Sequence, residues 1–115
     1  MVSDAVYKQM SDTKTPQGIL ATVRMLEYSL DDILPERRIP MVVVLENVQD
    51  PGNLGTIIRT AEGAGATGII MSKDTVDIYN PKTIRSTMGS LFRMPFVYVE
   101  DILSTAEELK HRGVN

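Results

Sequence analysis

A chain of 115 residues, 43% of them hydrophobic, has room for one small domain with one modest core and not for two complete domains. Its net charge of -3 excludes holding nucleic acid by broad electrostatics, which needs clustered Lys and Arg, although a local basic stretch is compatible with it. The absence of cysteine removes disulfides, thiolate metal sites and cysteine nucleophiles, and with them methylation of pyrimidine C5 through a covalent thioether.

In chain order, Val6 and Met10 lie one turn apart and predict a short helix, ended by a loop that carries Pro16 and Gly18. GILATVRML, from Gly18 to Leu26, is apolar with β-branched members and predicts a strand, and EYSLDDIL predicts a short helix stopped by Pro35. PERRIP, residues 35–40, reads as a linker. MVVVLEN then suits a strand buried on both faces, as in a parallel sheet. QDPG makes a turn, and from Asn53 the apolar residues Leu54, Ile57, Ile58 and Ala61 recur at helical offsets until Gly63 and Gly65. ATGIIM is a second buried strand, which completes a βαβ unit expected to be right-handed.

Further on, Asn80 as N-cap and Pro81 at the first helical position open a helix on Ile84, Met88 and Leu91. FVYV is a third strand. DILSTAEELKHRG is an amphipathic helix on Ile102, Leu103, Ala106 and Leu109, with Lys110, His111 and Arg112 complementing its dipole and Gly113 ending it. The fold class is α/β, a mostly parallel, Rossmann-like sheet flanked by helices. A sheet whose last helix is followed only by VN is expected to lack its next strand. The longest apolar runs fall far short of the roughly 20 residues of a membrane span, and the N-terminus has no secretion-signal pattern, so no membrane partner and a cytoplasmic location are expected.

Chemistry concentrates between Glu46 and Gly68, ENVQDPGNLGTIIRTAEGAGATG. A buried strand delivers a Pro51-Gly52 turn, and Asn53 is placed to cap a helix whose free amides face an incoming ligand. Gly55 and Arg59 are four apart on one face, away from the apolar stripe, so a glycine beside an arginine leaves space for something to approach. Spacing alone fits equally a plain cap and a surface cation. Glu46 reads as the end of the strand and His111 as a dipole-complementing helix-end residue. From Lys73 to Arg93 the chain is locally positive, with Lys73, Lys82, Arg85 and Arg93 against Asp74 and Asp77.

DPGNLGTIIRTA, followed at the right interval by NPKTIRSTMGSLF, resembles the first and next blocks of the SpoU/TrmH-type RNA ribose 2'-O-methyltransferases of the SPOUT superfamily. SDTKTPQGILA is similar to that family's segment between an RNA-binding domain and the catalytic domain. The resemblance implies that residues 1–38 are a connecting segment with a short helix and strand, and that residues 39–115 are the N-terminal part of an incomplete SPOUT (α/β-knot) domain. It further implies methyl transfer from S-adenosylmethionine to a ribose 2'-hydroxyl of rRNA or tRNA, Arg59 and Asn53 in the catalytic centre, Gly55, Arg85 and Ser90 as RNA-binding or supporting residues, and a homodimer. The family's glycine-rich loop with a glutamate, its Ile-Pro strand and its Ser-Leu-Asn helix start do not occur here, so the methyl-donor site is expected C-terminal to Asn115 and the chain alone is expected to be inactive. A non-catalytic α/β module that binds RNA or protein is the alternative. A nucleotide site on PGNLG is weaker, since neither G-x-G-x-x-G nor G-x-x-x-x-G-K-[ST] follows a strand.

Overall fold

The computed structural model describes residues 1–11 and 13–114. Three parallel strands, β1 (Val42–Leu45), β2 (Gly68–Ser72) and β3 (Phe96–Val99), form a sheet in the order β1-β2-β3. Val42 pairs with Gly68 and Leu45 with Met71, while Ile69 pairs with Phe96 and Ser72 with Val99. The helices are α1 (Asp4–Met10), α2 (Leu30–Ile33), α3 (Pro51–Gly63), α4 (Pro81–Thr87) and α5 (Ile102–His111), with a 3-10 turn at Ser90–Phe92.

Strand alternation divides the core into two layers. On one face Ile69 and Met71 of β2 and Phe96 of β3 pack with Leu54, Ile58 and Ala61 of α3 and with Ile78, Leu91 and Met94. On the other, Ile70 packs with Ile33 of α2 and Leu109 of α5. Every residue of β2 is buried, as a central parallel strand requires. β1 is an edge among the described strands and is only partly buried, with Val44 facing solvent, so the expectation of burial on both faces fails there. Along α5, Leu103 is exposed and only Leu109 is buried, which makes the apolar stripe narrower than its spacing predicts.

α2 belongs to the packed body although it precedes the PERRIP linker. A Cβ placed on Gly68 would meet Ile33 Cγ2 at 2.2 Å, so the helix lies against β2 only because that strand begins with glycine. Arg112 at the end of α5 reaches back to Asp31 at 2.6 Å.

Gly18–Leu26 forms no strand, contrary to its composition. It pairs with no strand among the described residues, and Ile19, Val23 and Met25 are exposed. A side chain holds its end instead. The Tyr79 hydroxyl accepts the Leu26 N–H at 2.8 Å and donates to the Leu26 carbonyl at 2.8 Å. Tyr98 grips the loop after β2 in the same way, accepting from Ile78 N–H at 3.0 Å and donating to the Val76 carbonyl at 2.9 Å. Burial pushes both phenols up in pKa, so the hydroxyls keep their protons across the neutral range. Their rings, with Tyr28, stack edge-on around Phe96 at centroid distances of 5.4 to 6.4 Å. Replacing Tyr79 by Phe removes the grip on Leu26 and leaves the ring in place, and is expected to cost about 1–2 kcal/mol in urea unfolding and to speed tryptic cleavage after Arg24. Unchanged cleavage would show that the strap is held by packing alone.

Candidate active site

Parallel strands point their carboxyl ends the same way, and the loops that leave them gather at one rim of the sheet. The loop after β1 turns through Asn47, a non-glycine residue at φ 53, and is stitched to the loop after β2. Asn47 N–H bonds Ser72 Oγ at 2.9 Å, and Val76 N–H bonds the Val48 carbonyl at 2.9 Å.

This rim hands the chain to α3, whose cap is Asp50. Its carboxylate accepts the Asn53 N–H at 2.7 Å, with Pro51 at the first helical position. Asn53 is therefore not the cap that its place before the apolar stripe suggests, because an acid stands three residues earlier and takes that role. The Asn53 amide holds the Asp50 carboxyl below its ordinary range, helped by Lys82 of α4. Asn53 keeps an exposed side chain that makes no hydrogen bond among the described residues.

The space beside Gly55 is not an opening for a ligand, because α4 fills it. A Cβ there would lie 2.4 Å from Ser86 Cβ and 2.7 Å from the Thr83 carbonyl oxygen. The glycine serves helix-helix contact. Gly55→Ala is expected to force the two helices apart and to cost about 1–3 kcal/mol in chemical denaturation; a neutral result would mean that α4 yields freely.

Arg59, one turn beyond Gly55, is exposed and forms no ion pair or hydrogen bond among the described residues. At 100° per residue, Gly55, Arg59 and Glu62 lie within an arc of about 60° on α3. Asn53 and Arg59 stand about 9 Å apart along the axis and about 120° apart around it, so the helix does not bring them into contact.

Glu62 is gripped from the segment after α4. That helix ends at Met88, which is left-handed at φ 52, followed by Gly89 at φ 90. The two reversed residues break the helix expected across Ile84, Met88 and Leu91, leave Met88 exposed and Leu91 buried, and turn Ser90 and Arg93 toward α3. Ser90 Oγ donates to Glu62 Oε2 at 2.6 Å, and Arg93 places Nε on Oε1 and Nη2 on Oε2 at 3.0 Å. Arg93, then Ser90, lowers the Glu62 carboxyl from 4.5 to about 2. Because the folded value lies below the unfolded one, this stabilisation is complete above about pH 4.5 and is lost as pH falls toward about 2. The stability difference between the wild-type protein and Glu62→Gln should accordingly shrink between about pH 5 and pH 2; a constant difference would acquit the carboxylate.

Ion pairing consumes most of the locally positive stretch: Lys73 with Glu100, Lys82 with Asp50 and Arg93 with Glu62. Arg85, exposed on α4, joins no ion pair among the described residues, which leaves its guanidinium and that of Arg59 available on the packed helix pair. No group of three or more His, Cys, Asp or Glu among the described residues is placed to hold a metal ion.

Asn53, Arg59 and Arg85 stand exposed on an open face, whereas Ser90 is buried against Glu62. A nucleoside methyl donor needs a cleft where polar groups converge. The cleft with the most aromatic lining, about 380 Å³ between Tyr28, Asp77, Tyr79 and Tyr98, has the hydroxyls of Tyr79 and Tyr98 committed to backbone. No residue is assigned to the donor.

The helix-flanked parallel sheet has its counterpart in solved methyltransferases. The SpoU methyltransferase AviRb from Streptomyces viridochromogenes, in complex with the cofactor AdoMet, matches with a TM-score of 0.67 and 38% identity over 76% of this chain and 33% of that one. A family model described as the SpoU rRNA Methylase family matches residues 40–115. The chain belongs to that family. It is 40% identical over 114 residues to the 23S rRNA (guanosine(2553)-2'-O)-methyltransferase RlmP of Bacillus subtilis (strain 168), which covers 99% of this chain and 43% of that protein. It is 39% identical over 93 residues to rRNA methyltransferase 3, mitochondrial, of Homo sapiens, covering 78% of this chain and 22% of that protein. The chain thus spans less than half the length of these curated relatives.

Proposed function

We propose that this chain forms the N-terminal part of a domain that transfers a methyl group from S-adenosylmethionine to a ribose 2'-hydroxyl of rRNA or tRNA. In this reading residues 1–38 connect an RNA-binding domain to the catalytic domain, which begins at residue 39, and the enzyme is a cytoplasmic homodimer. The family match and the relatives named for 2'-O-methylation of 23S rRNA support it.

The observation that carries the reading is Arg59, an exposed guanidinium without a partner among the described residues, on a helix fixed at both ends, by Asp50 at its start and by Glu62 near its finish. A ribose hydroxyl is a weak acid: negative charge builds on its oxygen as the proton passes to solvent, and that charge is spent as the oxygen bonds the methyl carbon and the carbon–sulfur bond of the donor breaks. An arginine stays protonated in proteins, so Arg59 serves that oxygen as a fixed positive donor and not as a base. Asn53 contacts the RNA from the first turn, and Arg85 takes a neighbouring phosphate. Gly55 and Ser90 support the site from behind, the first by admitting α4 and the second by holding Glu62.

The reaction needs a bound methyl donor, so the test belongs in the complete enzyme. Arg59→Lys keeps the charge and loses the planar fork. Its single-turnover rate is expected to fall about 100-fold or more while RNA affinity changes far less. Retention of most of the rate would end the assignment of Arg59 to the reacting oxygen.

A further inference from the structure

We infer that Arg93, acting through Glu62 with help from Ser90, is a positioning residue that keeps the Arg59 guanidinium available to an anion. The inference rests on the proposed role of Arg59 and adds a reason why that side chain has no partner among the described residues.

Arg59 and Glu62 are three apart on α3, and side chains at that spacing are neighbours on a helix surface. With no other claimant, a carboxylate in that position is the nearest partner for Arg59, and the pair would neutralise the charge meant for substrate. Glu62 is instead fully engaged elsewhere. Both its oxygens accept from the Arg93 fork, and Oε2 also accepts from Ser90 Oγ at 2.6 Å.

Two physical reasons decide the competition. A fork on both carboxylate oxygens is stronger and more directional than a single contact. An arginine that precedes its acid along a helix also forms the weaker of the two orientations of such a pair. Backbone geometry supplies the rest. The left-handed turn at Met88 and Gly89 is what brings Ser90 and Arg93 over α3, and the strain of a non-glycine residue at φ 52 is accepted there. The lowered Glu62 carboxyl keeps this engagement in place through the neutral range.

The test reads the Arg59 side chain directly. In the 15N-labelled protein the Arg59 Nε–H resonance, assigned by its loss in Arg59→Gln, is expected to shift in Arg93→Gln, where Glu62 is released, and to return in the Glu62→Gln/Arg93→Gln double variant. If Arg93→Gln does not fold, Arg93→Lys, which offers a point charge in place of a fork, is expected to shift the resonance the same way by less. A resonance unmoved in whichever of these variants folds overturns the inference.

Binding of a short single-stranded RNA, followed by fluorescence anisotropy, supplies the functional arm. Arg93→Gln should weaken it by up to about twofold, and by less in the Arg59→Gln background, because the loss travels through Arg59. An equal loss in both backgrounds means that Arg93 acts only as a charge in its own right and counts against the inference. If no variant binds RNA while the resonance still moves and returns, the Arg93 restraint stands and the RNA reading of this face fails.

Discussion

The close approach of α3 to α4 at Gly55 is the constraint on which the rest of the face depends. With only hydrogen at that position, the Ser86 side chain and the Thr83 carbonyl come nearer to α3 than any side chain there would allow. That contact fixes where α4 ends. Where α4 ends decides which residues of the following turn meet α3, and so Ser90 and Arg93 arrive at Glu62 because a methyl group is missing two turns away. Packing, not hydrogen bonding, comes first in this chain of causes.

Charge is then distributed over a frame already set. The cations of the basic stretch go mostly to carboxylates on other elements, which leaves a face whose electrostatics rest on few side chains. Under the function proposed, an acidic chain would still receive an RNA this way, since what matters at a reacting oxygen is one well-held positive group and not the sum over the protein. Such a group is more useful on a helix than on a loop, because its distance from the sheet does not change.

The continuous apolar runs of MVVVLEN, ATGIIM and FVYV and the stripe of Leu54, Ile58 and Ala61 made strands and principal helix readable, since burial in a parallel sheet and on one helix face imposes those patterns directly. Gly18–Leu26 misled because composition reports only that a segment is apolar, whereas a strand needs a partner. Asn53 misled for a different reason. The Asp50-Pro51 pair carries the same cap-then-proline signature that Asn80-Pro81 displays and that identifies the start of α4, so the true start of α3 was present in the residues. The Glu62 cluster left no such trace. Its members lie 28 and 31 residues apart, and only the reversed backbone at Met88 and Gly89 brings them together. Arg59 was legible as a residue of a family block, but that it stands on an open face, with the glycine beside it already filled, required coordinates.

The clamp that Tyr79 places on Leu26 touches main chain only. A route fixed through amide and carbonyl groups is indifferent to the side chains that follow it. Residues of the strap can therefore drift between related proteins while its path over the domain is inherited unchanged, and conservation of course without conservation of letters is the pattern such a grip leaves behind.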